Sequence, residues 1–165
     1  MTLKDLLAAK KEEILQRWLD RILEDYPPDT RSFFRETESL YSNPVGFTLR
    51  KGMEGIIDRI LRPLSAEEAR VILEPVMKVR AVENLSPSQR MKFILPLGVV
   101  LAEIMREEGR KDLWGHEWME LNSEISRLAL LSRKLFSESR EKVNQLRIKE
   151  SEKKEGEVQA RRAEV

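Results

Sequence analysis

The sequence contains no cysteine and a single histidine, His116. Without cysteine there are no disulfides, no thiolate nucleophile and no thiolate-ligated zinc or iron–sulfur centre. One histidine cannot build a multi-histidine metal cluster. The 7 glycines are scattered and form no phosphate-cradling loop. An excess of either charge is also missing. The 30 Lys+Arg are balanced by 29 Asp+Glu, which gives no bulk attraction for nucleic acid. Long hydrophobic runs are absent too. The longest, Phe93 to Ala102, has ten residues, where a bilayer span needs about 20. Lys10-Lys11-Glu12-Glu13 breaks any signal-peptide core, so the cytoplasm is the expected compartment.

What remains is a chain of 165 residues that is 41% apolar and 36% charged. That is enough apolar material for one core, with more charge than the roughly 25% of an ordinary domain. The apolar spacing is helical throughout. Ile14, Trp18, Ile22 and Tyr26 recur every four residues, and Pro27-Pro28 is expected to end that helix. Asp29-Thr30 can cap a short helix carrying Phe33, Phe34 and Leu40. Asn43 followed by Pro44 is an N-cap signal ahead of Leu49, Met53, Ile56 and Ile60, and Pro63 marks the end. Ser65 to Glu68 has capping-box spacing, and Pro75 is expected to interrupt or restart the helix after it.

The run Val76, Val79, Val82 is read as helical although valine leans towards strand. Ser86-Pro87-Ser88-Gln89 is a second capping box. It opens a helix running from Met91 to Met105 that is apolar on nearly every side, kinked at Pro96 and closed by Gly109. Asp112 is expected to open the last helix, with Trp114, Trp118, Leu121, Ile125, Leu128 and Leu135 on one face.

The predicted fold is therefore all-α, a single bundle of about five to seven helices with a long C-terminal helix. Residues 1–140 form the domain. Residues 141–165, with 13 charges in 25 positions, are a helical extension or a disordered tail.

No convergent catalytic set is visible. His116 opens the last helix with no nucleophile elbow elsewhere, so it reads as a first-turn residue without catalytic duty. The pairs Glu12-Glu13, Glu67-Glu68 and Glu107-Glu108 are adjacent on helices, where side chains diverge by about 100°. Glu117, Glu120 and Glu124 share a face, but a di-iron carboxylate site needs a Glu-x-x-His motif from each of two helices. The expectation is no enzyme, no metal and no cofactor. Two polar residues lie in apolar settings. Arg80, within Val79-Arg80-Ala81-Val82, either pairs with Glu74 or Glu83 or recognises an anion. Asn43 is accounted for by its capping role. Together with Trp18 these are the candidate small-ligand residues. The seven-residue spacing of Leu121, Leu128 and Leu135, resumed near Leu146, is the candidate homodimer or partner interface.

Lys11-Glu12-Glu13-Ile14 through Trp18 to Tyr26-Pro27-Pro28, Tyr41 to Gly46 with Leu49-Arg50, Val79 to Val82 and Ser86 to Gln89 occur in an order that resembles the RsbRD N-terminal domain family. The resemblance covers roughly residues 5 to 135. It implies a globin-like, non-haem sensory or regulatory domain of bacterial stress signalling that dimerises and passes signals through a helix leaving its C-terminus. In that family a phosphorylatable STAS domain usually follows; none follows here, so the expectation is a stand-alone domain. Glu83-Asn84 and Leu97-Gly98 depart from the family pattern. Such stand-alone domains also resemble small proteins encoded near redox complexes in anaerobic bacteria. His116 is wrongly placed for a proximal haem ligand, so no haem is expected. Protein partners are expected, but neither nucleic acid nor a membrane span.

Overall fold

In a computed structural model, residues 2–24, 26–35, 43–83, 85–86, 88–89 and 92–164 are described. They contain helices and connections, with no strand among them. In order, the helices are α1 (Leu3–Ala9), α2 (Lys11–Ile22), α3 (Pro28–Arg35), α4 (Pro44–Arg59), α5 (Ala66–Ala81), α6 (Leu95–Glu107) and α7 (His116–Ala163). A single 3-10 turn, Lys111–Leu113, precedes α7. The all-α expectation holds.

Local chemistry explains most of the helix starts. The Thr2 hydroxyl accepts from the Asp5 N–H, and the Asp5 carboxylate accepts from the Thr2 N–H, closing a capping box on α1. The Asn43 side chain accepts from the Gly46 N–H at 2.9 Å, with Pro44 at the first helical position. The Ser65 hydroxyl accepts from the Glu68 N–H at 3.1 Å. Ser86 and Gln89 exchange the reciprocal bonds of a capping box, at 3.3 and 2.8 Å.

Prolines caused the boundary errors. Helix α2 ends at Ile22, not Tyr26, and Pro28 opens α3 instead of stopping a helix. Helix α4 ends at Arg59, ahead of Pro63. Helix α5 runs unbroken through Pro75, whose missing hydrogen bond faces solvent. Pro96 lies in the first turn of α6, where a proline needs no N–H, so it produces no kink. Gly109 has φ of +65°, the left-handed conformation that ends the turn after α6. Phe33, Phe34 and the stretch carrying Leu40 and Tyr41 fall outside the described side chains.

The core gathers the inward faces of all the longer helices. Ile14, Trp18, Ile56, Leu73, Leu97, Val100 and Leu128 are completely buried. Helix α7 packs chiefly on α5, α5 on α4, and α2 bridges α4 and α6. The high charge content is spent on the seams between these helices. Lys10–Glu108, Arg17–Glu107 and Arg21–Glu103 lace α2 to α6. Lys11–Asp58 and Arg50–Glu12 lace α2 to α4. Each exposed pair is worth only about 0–1 kcal/mol, so they set register more than stability. Residues 141–163 continue α7 as helix.

Candidate functional site

Arg80 lies near the C-terminus of α5, beside Tyr26, Glu83, Gln89 and Phe93. Arg80 is only 4% exposed, an unusual state for a guanidinium. Its Nη2 donates to the Gln89 carbonyl at 2.8 Å, and its guanidinium carbon lies 6.0 Å from the centre of the Phe93 ring. Its Nε is buried and makes no hydrogen bond. Burial lowers its pKa, while the nearby Tyr26 hydroxyl and Glu83 carboxylate favour its charge. Tyr26 donates to Glu83 Oε2 at 2.8 Å. Burial first, and then the Glu83 charge, push the Tyr26 hydroxyl up to about 12. Of the two carboxylates anticipated for Arg80, Glu83 is the neighbour; Glu74 pairs with Arg70 and Lys78 instead.

The predicted ligand residues meet here only in part. Trp18 is fully buried against Phe93, ring centres 5.7 Å apart, and its indole N–H donates to the Phe93 carbonyl at 2.6 Å. Phe93 thus links Trp18 to Arg80. Asn43 is buried as a helix cap and does not line the cavity beside Arg80. That cavity, bounded by Tyr26, Val45, Val76, Arg80 and Glu83 among others, has a volume of about 10 Å³. That is room for one water at most. Arg80, Tyr26, Glu83 and Phe93 therefore form a packed hub and not an open pocket.

One residue beyond Arg80, the Ala81 carbonyl accepts from Arg140 Nη1 at 2.7 Å. Arg140 lies where α7 leaves the bundle. The end of α5 that carries the buried cation is thereby pinned to the point at which α7 departs.

The leucine spacing in α7 has a different use from the one expected. Leu121, Leu128 and Leu135 are 3% exposed or less and face the chain's own core. Of the four candidate interface residues, Leu146 alone is exposed, at 61%. A seven-residue repeat gives the same signal whether the partner helix is in the same chain or in another. Among the apolar residues left outside are Leu95 and Val99 on α6 and Met119 and Leu130 on α7. Leu95 and Val99 border a shallow groove of about 390 Å³ between α6 and α7, and Leu130 stands one turn beyond its edge residue Ser126. The sequence does not mark this face, because a helix that is apolar on nearly every side does not show which of its residues stay outside, and Leu130 is a single position.

His116 is exposed and pairs with Glu120 at 2.8 Å. Glu124 is buried and works structurally. It accepts from the Leu64 N–H at 3.1 Å and from Arg127 Nη2 at 2.7 Å, while Arg127 also donates to the Leu64 carbonyl. No group of three or more His, Asp and Glu residues suited to a metal ion occurs among the described residues. None of the described helices is long and apolar enough to cross a membrane.

Residues 12–150 match the model of the RsbT co-antagonist protein rsbRD N-terminal domain. No curated protein and no solved structure matches the chain.

Proposed function

The chain belongs to the RsbT co-antagonist protein rsbRD N-terminal domain family, and on that premise we propose that it is a non-enzymatic regulatory domain acting as a homodimer through protein contacts. The observation that carries this reading is the division of α7. Its first half is built into the core against α5, and its second half stands free of the bundle. One continuous hydrogen-bonded helix joins them, so a change in packing around α5 reaches the exposed half without any hinge. The bond from Arg140 to the Ala81 carbonyl ties that exit to the Arg80 hub. Self-association is assigned to the outer α6–α7 face bearing Leu95, Val99 and Leu130, because the leucines facing inward are already buried. A small-ligand role for the Arg80 region has less support, since the space there admits one water.

Sedimentation equilibrium of the full chain tests the reading. The expected mass is twice the 19.3 kDa of one chain. Val99→Glu combined with Leu130→Glu should yield a folded monomer. A wild-type chain that stays monomeric at high concentration would sink the proposal.

A further inference from the structure

Helices α4 and α5 run antiparallel and meet with unusual closeness. A Cβ at Gly52 would collide with Val76 Cγ2, and one at Gly55 would lie 3.3 Å from Ile72 Cγ2. On the outer side this crossing leaves a groove of about 310 Å³ edged by Phe47, Lys51, Arg59, Val71, Ile72 and Pro75. Val71 is the most exposed large apolar side chain among those described, at 70%.

The charged side chains that line this groove, Lys51 and Arg59, are both basic. Lys51 lies over the Phe47 ring, with Nζ 5.5 Å from its centre, and has no carboxylate partner among the described residues. Arg59 only reaches back to the Gly55 carbonyl, at 3.4 Å. Of the carboxylates close by in sequence, Glu54 is engaged with Arg50, Asp58 with Lys11, Glu68 with Arg62, and Glu74 with Arg70 and Lys78, while Glu67 is exposed in the first turn of α5, one turn before Val71. Pro75 adds an independent feature. It has no N–H, so the Val71 carbonyl at the groove lacks its usual donor four residues on.

We propose that this α4–α5 face docks an acidic amphipathic helix of a partner protein. Lys51 and Arg59 are eight residues apart on one helix, about 12 Å at 1.5 Å per residue. A partner helix lying along the groove matches them with carboxylates at i and i+8. A bulky apolar residue at i+4 then covers Val71 and Ile72. A second copy's α7 does not fit this pattern, because Leu146 is flanked at four residues by Lys142 and Glu150, one of them the wrong charge. An anionic membrane is disfavoured as well. Lipid recognition uses about four to eight clustered basic residues, and this groove offers two. The proposal is independent of the dimer and α7 reading, which sedimentation tests separately.

The test uses the full chain and an alanine-based helical peptide presenting Glu, Leu and Glu at i, i+4 and i+8. A control peptide carries Lys in place of both Glu. The Glu peptide should shift the NMR signals of Gly55, Val71 and Ile72, and the Lys peptide should not. Lys51→Glu with Arg59→Glu should weaken binding by at least roughly tenfold, with the melting temperature unchanged. Equal binding of the two peptides, or no shift at these signals, would overturn the proposal. So would phosphatidylserine vesicles moving the same signals when the peptide does not.

Discussion

From Leu121 to Ser139, α7 carries a buried residue every three or four positions, whereas from Arg140 to Ala163 none is fully buried. The apolar stripe outlasts the bundle by only two positions, Val143 and Leu146, before Glu150, Lys153 and Glu157 occupy the same line. The first half is helical because an apolar face packs on α5 and α6. The second half must be helical on its own resources. Its sequence spaces opposite charges four apart at Glu150 and Lys154, Lys153 and Glu157, and Glu157 and Arg161. Such pairs contribute about 0.2–0.5 kcal/mol each, against the roughly 1 kcal/mol that Gly156 costs relative to alanine. A helix can thus be continuous in geometry and discontinuous in what stabilises it.

The largest effect that would test this contrast lies at Leu128, fully buried at the centre of the first half. Leu128→Ala should lower the unfolding free energy measured in urea by about 2–5 kcal/mol, through lost burial and the cavity left behind.

Glu124 should come next, by a different mechanism. Burial alone would raise its pKa above the ordinary 4.5, but Arg127 and the Leu64 N–H together hold it lower. A carboxylate with a depressed folded pKa stabilises above its unfolded value, and that contribution disappears as pH falls through the folded one. Glu124→Gln should therefore cost about 1–3 kcal/mol at neutral pH. The gap from wild type should stay level above about pH 4.5 and close below it. A gap independent of pH would show that the charge of Glu124 contributes nothing.

The smallest effect is expected in the exposed half. Leu146→Ala should change the monomer's stability by no more than about 0.5 kcal/mol, read in dilute solution. A cost approaching that of Leu128→Ala would mean that the second half is packed against something, and the contrast would fail.

The features legible in the sequence were those governed by neighbouring residues. The caps at Asn43, Ser65 and Ser86 need only a side chain and an N–H three residues on, and each of these bonds forms. Proline was harder, because its effect depends on position within a helix. At Pro96 and Pro28 it falls in a first turn, and at Pro75 its lost bond faces water. Arg80 stood out by its apolar surroundings, but Tyr26, which bonds its neighbour Glu83, comes from 57 residues away. No local pattern encodes that meeting. Nor does periodicity say which chain buries a stripe, which is why Leu121, Leu128 and Leu135 looked available when they are not.

The unsupported stretch of α7, residues 140–163, reaches about 36 Å at 1.5 Å per residue. As a continuous helix over that length, it multiplies small angles at its base. A tilt of about 10° where Arg140 grips Ala81 carries the far end sideways by about 6 Å, more than a full helical turn. Side-chain adjustments too slight to alter the bundle's outline thus become a displacement on the scale of a binding pocket. The length of this arm sets how far its end moves for a given change at its base.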